Sequence, residues 1–312
     1  MTPSTFTPQS KPVAGAPTFL KFERGQMQSR FDREPFVIGH TLCEHPLLQL
    51  QRLIVLSTTL PAASVEYNAG NIDVNQDPSS TPRTGLGIAE TLRRLEECNS
   101  WMVLKNVEQD PEYAALLDAC LDQVQPAVED ICPGMVGRKA YIFISSPGAV
   151  TPYHVDFEYN FLLQVRGDKF MSVYDAFDRS LLSEEQRERA VSGAPRNLPF
   201  REEFEKRGTT FHLQPGDAVH VPLSSPHWVK VGSSVSISFS ITFHSRVSDR
   251  RIGAHRTNAM LRKLGLSPTE VGRSDVLDTM KFNAHRMLRR IQGVGQKLRP
   301  GAGSGSPAGG GM

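Results

Sequence analysis

The chain has 312 residues, 22% of them charged, with a formal net charge of +2. That length can bury an ample core, and the near-balanced charge gives no electrostatic case for nucleic acid as the main partner. Four cysteines, Cys43, Cys98, Cys120 and Cys132, form neither a CxxC pair nor a zinc pattern, so a reducing cytoplasmic setting is expected.

Residues 1–18, rich in Pro, Ser and Thr without an apolar run, read as a disordered segment and not as a secretory signal. Residues 19–139 read as a helix and strand region. It opens with strand-like pieces at Phe19–Phe22 and Phe36–Ile38. Leucines at helical spacing predict a helix over His45–Leu60, ended by Pro61. A short strand at Val65–Tyr67 and a Pro/Gly/Ser loop at Asp77–Gly87 follow. Then come an amphipathic helix at Ala89–Cys98, a strand at Trp101–Val107 and a helix over Pro111–Val128 that starts on proline.

Residues 140–246 change character. Tyr141–Ser145 predicts a strand, His154–Val165 a long one, Gly167–Asp168 a hairpin turn and Lys169–Tyr174 its return. The polar stretch Arg179–Arg207 reads as an insertion, partly helical. Strands follow at Thr209–Leu213, Ala218–Val221, Trp228–Val231 and Val235–Phe243. The class is mainly β with flanking helices, and many short strands with Gly/Pro turns imply a barrel or sandwich. Residues 247–298 are helical again, with a basic face that reads as solvated. Residues 299–312 are nearly all Gly, Ser, Pro and Ala and read as a disordered tail. No apolar run approaches the roughly 20 residues that span a bilayer.

The chemistry lies in Thr151-Pro-Tyr-His-Val-Asp156. His154 and Asp156, two apart on a strand, point to one face. A His and a carboxylate together with a distant His make the facial triad that holds non-haem Fe(II) and leaves positions open for cosubstrate and dioxygen. The distant ligand must come from a neighbouring strand. His227, after Ser-Ser-Pro, is the first choice; His220, within a strand, is the second; His212 is also near. A lone His-x-Asp is often only an ion pair, but the later Pro-Gly-Asp turn and the Val-Pro ahead of His227 raise the odds.

If the strand from His154 runs unbroken, Asn160, Leu162 and Gln164 share its metal face. A buried amide there needs a partner, either a ligand or a cross-strand hydrogen bond. Lys169, Met171 and Val173 share a face after the turn. A lysine leading an inward face is costly unless it meets an anion; the bland alternative leaves it in solvent. In the last strand Val235, Ile237, Phe239, Ile241 and Phe243 form an apolar face, and Ser236, Ser238, Ser240 and Thr242 a polar one facing either a pocket or solvent.

In order, Thr151-Pro-x-His-x-Asp156, Asn160-Phe-Leu-Leu-Gln164, Gly167-Asp-Lys169, Pro215-Gly-Asp217, Val221-Pro222 and His227 resemble the JmjC/cupin-like Fe(II)/2-oxoglutarate oxygenases. The likeness is greatest to the asparaginyl-hydroxylase branch that acts on hypoxia-inducible factor, and it covers about residues 140–243. It implies a double-stranded β-helix of jelly-roll type with helical N- and C-terminal additions. It implies Fe(II) on His154, Asp156 and His227. It also implies that Lys169 and Thr151 hold the distal carboxylate of 2-oxoglutarate and that Asn160 lines the site. The family also uses an upstream tyrosine on the cosubstrate, a role for which Tyr141 is the candidate, and Ser240 stands where the family has an asparagine. The aromatic pair that usually precedes the distal His is Ser225-Pro226 here.

The implied activity is a dioxygenase using Fe(II), 2-oxoglutarate and dioxygen to hydroxylate a protein or small-molecule substrate. Demethylation is the variant differing only in substrate. The competing class is a non-catalytic metal-binding cupin acting as a ligand sensor, which has no need of the Lys169/Thr151 pair. Substrate contacts are expected from Arg179–Arg207 and Asp77–Gly87. The apolar stripe of the C-terminal helices must be covered, either by the barrel's outer face, the first expectation, or by a second copy in a homodimer.

Overall fold

Alternating apolar and polar residues in the last strand set the layering of the protein. The computed structural model describes residues 17–77, 80–82 and 85–297. The expected disordered ends lie outside these, apart from residues 17 and 18.

The first unit runs to Asp249. Its strands in chain order are β1 (Leu20–Lys21), β2 (Phe36–His40), β3 (Val65–Ala69), β4 (Ser100–Lys105), β5 (Val136–Ser145), β6 (Val150–Val155), β7 (Tyr159–Arg166), β8 (Lys169–Val173), β9 (Thr209–Leu213), β10 (Asp217–Val221), β11 (Pro226–Val231) and β12 (Ser236–His244). They form an eight-stranded sheet, β1-β2-β10-β7-β12-β5-β4-β3, and a four-stranded one, β6-β11-β8-β9. Every pairing is antiparallel. This is the jelly-roll architecture of the double-stranded β-helix. The segment ahead of residue 136 is part of that framework, since β1–β4 extend both edges of the large sheet.

Val235 and the apolar residues Ile237, Phe239, Ile241 and Phe243 join the main core on the outer face of the large sheet. There they meet Met27 of α1 (Arg24–Arg30), Leu53 and Leu56 of α2 (Leu50–Thr59) and Leu117, Leu121 and Val124 of α4 (Pro111–Val128). Burying each such side chain stabilises by about 1.5–3 kcal/mol. Asp110 caps α4 by accepting from the Glu112 N–H at 2.9 Å, and Pro111 opens it. The helix α3 (Ile88–Arg93) is shorter than the Ala89–Cys98 expected. The one-turn-and-more α1 was not expected, because Arg-Gly-Gln-Met-Gln-Ser-Arg carries a single buried apolar residue, Met27.

The polar residues of β12 face the other way, between the sheets. Ser240 donates to Asn160 Oδ1 at 2.8 Å, and Ser238 to Gln164 Oε1 at 2.6 Å. The Gln164 amide donates to Ser236 Oγ and to the carbonyls of Arg166 and Gly167. Gln164 is therefore satisfied by the protein itself and does not line the cavity between the sheets. A smaller cluster, including Leu162, Met171, Leu213, Val219 and Val229, fills the rest of that interior.

Two expectations change here. The long strand His154–Val165 is two strands: β6 pairs in the small sheet, β7 in the large one, and Asp156–Glu158 carry the chain across. Gly167–Asp168 is likewise a crossing and not a hairpin, because β7 and β8 lie in different sheets. Alternation looks the same whether a strand continues or its chain changes sheet, so periodicity cannot reveal the bend. Glycine is required at 167: φ is +64°, and a Cβ would fall 2.3 Å from the Val235 carbonyl oxygen.

The insertion between β8 and β9 holds α5 (Glu184–Val191), opened by a Ser183/Gln186 capping box. Its later part runs beside β6. The Val155 N–H donates to the Arg196 carbonyl at 3.1 Å, and the Leu198 N–H to the Tyr153 carbonyl at 2.9 Å.

The second unit begins at Arg250, inside α6 (Arg246–Lys263), and continues through α7 (Asp275–Lys297). Within it Gly253 admits the Phe282 ring, which a Cβ would meet at 2.5 Å. The Thr257 hydroxyl donates to the Lys281 carbonyl at 2.8 Å. Along α7, Val276, Met280, Met287 and Ile291 are exposed. No helix among the described residues is long and apolar enough to cross a membrane.

Candidate metal centre

β6 and β11 are neighbours, and their register sets His154 directly opposite His227. Asp156 follows β6 by one residue, at the start of the bend. The ligand atoms of His154, Asp156 and His227 all lie within 4.8 Å of one another. Asp156 Oδ2 is 3.7 Å from Nε2 of each histidine.

The imidazoles are held by their other nitrogens. His154 Nδ1 donates to the Pro152 carbonyl at 2.7 Å, and His227 Nδ1 to the Ser225 carbonyl at 2.9 Å. A carbonyl can only accept, so both rings carry a proton on Nδ1, which leaves Nε2, on the Asp156 side, as the nitrogen available to a metal. Burial pushes His227 down to about 4, helped by the neighbouring His154. Burial opposes charge on His154 as well, but the bond and charge of Asp156 outweigh it and raise its pKa. Burial also opposes ionisation of Asp156, yet the His154 bond, both imidazoles and Arg196 hold its carboxyl well below the usual range. Two imidazole Nε2 atoms and a carboxylate oxygen on one side suit a divalent metal with further positions open.

Those positions face a cavity of about 500 Å³ between the sheets. Tyr141, Asn160 and Ser240 line it from the large sheet, and Thr151 and Lys169 from the small one. Lys169 is 3% exposed and has no hydrogen-bond or ion-pair partner among the described residues. Burial alone pushes its ammonium down to about 7. Thr151 Oγ1 accepts from the Trp101 indole at 3.1 Å, so its own proton is free to donate elsewhere. Because Asn160 Oδ1 accepts from Ser240, the Asn160 NH₂ group is the end left for another acceptor. Burial raises the Tyr141 phenol well above its ordinary value, so it is a neutral donor.

Two residues of the site escaped sequence reasoning. Glu158 and Arg196 line the same cavity. Glu158 continues the two-residue spacing of His154 and Asp156, a signal that was present. Arg196 lies among many charged residues of the insertion, where nothing distinguishes it. From the loops expected to meet substrate, Arg196, Asn197 and Thr81 reach the cavity wall.

The other histidines lie elsewhere. His220 is fully buried, stacked on Phe31 at 4.3 Å between ring centres, with Nδ1 3.2 Å from the Asn160 carbonyl. Burial pushes it down to about 3. It faces the main core on the opposite side of the sheet from the cavity, so the alternative ligand is a core residue. His212 is half-exposed and pairs with Asp168 at 2.8 Å. Replacing His220 with alanine should lower stability by about 2–4 kcal/mol, as removal of other large buried side chains does. A urea denaturation midpoint measures that loss. Metal affinity, measured by titration, stays at the wild-type value.

The family model of the JmjC domain matches residues 117–250, which run from within α4 into the start of α6 and contain the whole centre. The chain carries a JmjC domain. The JmjC protein is an Fe(II)- and 2-oxoglutarate-dependent oxygenase, and its His-Asp-His donor set and partnerless cavity lysine fit those two cofactors. Among solved structures, Escherichia coli ycfD shares the fold: 18% identity, 87% of this chain and 68% of that one covered, TM-score 0.50. A structure of the E. coli ribosomal oxygenase YcfD with cobalt and 2-oxoglutarate is also similar, at 17% identity, with coverage of 88% and 66% and a TM-score of 0.46. The DMSP lyase DddQ of Ruegeria pomeroyi covers 34% of this chain and 38% of its own, at 15% identity and a TM-score of 0.22. A sequence search among curated proteins finds no match.

Proposed function

We propose that this oxygenase hydroxylates a side chain of a protein substrate, with Fe(II) held by His154, Asp156 and His227. The convergence of those three side chains on one cavity with Lys169 carries the reading. When bound, Fe(II) with 2-oxoglutarate supplies the oxidising chemistry that places an oxygen atom of dioxygen into a C–H bond. The chain's residues bind and orient. Lys169 neutralises the distal carboxylate of 2-oxoglutarate, the Thr151 hydroxyl donates to it, and Tyr141 adds a neutral phenol donor. The Asn160 amide, oriented by Ser240, meets acceptors on the cavity floor. Leu162, Met171 and Val229 keep water from the reacting end.

A macromolecular substrate is supported by the open cavity, flanked by the insertion and by the loop near Thr81, and by the description of the similar YcfD as a ribosomal oxygenase. Four free cysteines support a reducing, cytoplasmic location. The test is succinate formation from 2-oxoglutarate with iron and ascorbate, followed by mass spectrometry of candidate proteins. Gain of one oxygen atom supports hydroxylation. Loss of a methyl group moves the activity to demethylation. Metal binding without succinate leaves a sensor.

A homodimer through α7 is part of this proposal. Val276, Met280, Met287 and Ile291 are 70, 62, 65 and 57% exposed and recur on one helical face. Such a stripe favours association. Sedimentation should give a dimer at micromolar concentration for the full chain and a monomer for Met280→Glu/Met287→Glu. A wild-type monomer rules the dimer out.

A further inference from the structure

We propose that Arg196, carried on the insertion, is a positioning residue that orients Asp156 toward the metal. This rests on the reading of His154, Asp156 and His227 as the iron ligands. The two oxygens of Asp156 have divided roles. Oδ2 faces both histidine Nε2 atoms at 3.7 Å, while Oδ1 accepts from Arg196 Nη1 at 2.9 Å. The same guanidinium is gripped by Glu158, which accepts from the shared Nη1 and from Nη2, each at 3.1 Å. The planar fork thus bridges two carboxylates, the use to which arginine is better suited than lysine.

An exposed ion pair would be worth little, and the Arg196 side chain is itself 44% exposed. Its backbone makes the difference. The Arg196 carbonyl accepts from the Val155 N–H, and Asn197 makes an isolated antiparallel bridge to His154 of β6. Asn197 Nδ2 also donates to the Gln76 carbonyl at 3.2 Å. The segment holding Arg196 is therefore tied to the strand that presents His154. With Oδ1 occupied, Asp156 offers one oxygen to the metal and cannot swing into a two-oxygen grip. The pairing also draws charge from the carboxylate. Such outer partners of metal-binding carboxylates are worth about 10- to 100-fold in metal affinity.

The test is Co(II) titration of the full-length protein, read by affinity and by the visible ligand-field bands, which report coordination number and geometry. Arg196→Ala should weaken Co(II) binding about tenfold and change band position and intensity. Arg196→Lys should recover part of the affinity without restoring the spectrum, since an ammonium lacks the fork. Asp156→Ala, run alongside, should lose the site. Wild-type affinity and spectrum in Arg196→Ala, with Asp156→Ala inactive toward Co(II), would overturn the role of Arg196 alone, even if Arg196→Ala melts at a lower temperature. Undiminished Co(II) binding in Asp156→Ala would overturn both the ligand set and this inference.

Discussion

Asp156→Ala and His154→Ala should each remove iron from the purified protein and reduce 2-oxoglutarate turnover to background. The three donors form a minimal set, and no other group of three or more His, Cys, Asp or Glu side chains among the described residues comes together this way. Loss of a ligand should exceed the effect of losing an outer partner, so affinity for Fe(II) or Co(II) falls by more than about 100-fold. Asp156→Ala has a second effect. It leaves two imidazoles with no negative charge between them, and the guanidinium of Arg196 then faces the site with only Glu158 as its carboxylate partner. Elemental analysis should count zinc as well as iron, since two imidazoles and a carboxylate also suit zinc. Full metal occupancy in both variants would place the centre elsewhere.

Lys169→Ala should raise the KM for 2-oxoglutarate by roughly two orders of magnitude or more while metal affinity is kept. Removing one partner of a buried charge pair costs about 3–5 kcal/mol, and about 1.4 kcal/mol is a decade of affinity. An unchanged KM would end the role of Lys169. The free enzyme adds a pH signature. Its ammonium is pushed down to about 7, so above that pH a growing share of the enzyme is neutral at this position. Apparent affinity for the dicarboxylate should then fall about tenfold per pH unit above 7. The stability sign is opposite. Between about 7 and the ordinary value of 10.5 the unfolded chain binds the extra proton. This group therefore makes the cofactor-free fold more stable as pH rises through that window.

The site's residues were easier to read than the path of the chain that unites them. β9 was legible to the residue because Thr209–Leu213 is bounded by glycine and a Pro-Gly turn, and α4 because Pro111 marks its start. The serine face of β12 was visible as a pattern, but whether it faced a pocket depended on the second sheet lying over it. The crossing at Asp156–Glu158 was not legible. Its residues contain neither glycine nor proline, and the apolar alternation resumes directly in β7. His227 and His220 looked similar in sequence. Their sheets and faces separate them: His227 lies in the small sheet beside the cavity, whereas His220 sits on the Phe31 side of the large sheet, where hydrophobic packing and not ligation has claimed it. Arg196 was out of reach, because its partnership with Asp156 depends on an insertion returning to the edge of β6.

The direct opposition of His154 and His227 across β6 and β11 has a bearing on how the protein matures. The two strands are far apart in sequence, and β7 to β10, which belong to both sheets, lie between them in the chain. Long-range pairings of this kind form late. A slip of one residue would turn His227 away from its partner, since side chains alternate across a strand. A folding intermediate with the wrong register therefore has no complete donor set. Metal capture would then be a check on completed strand pairing, and a bound ion would act as a clasp across the smaller sheet. Holo protein should unfold more slowly than apo protein, and refolding chains should take up metal only in their final kinetic phase.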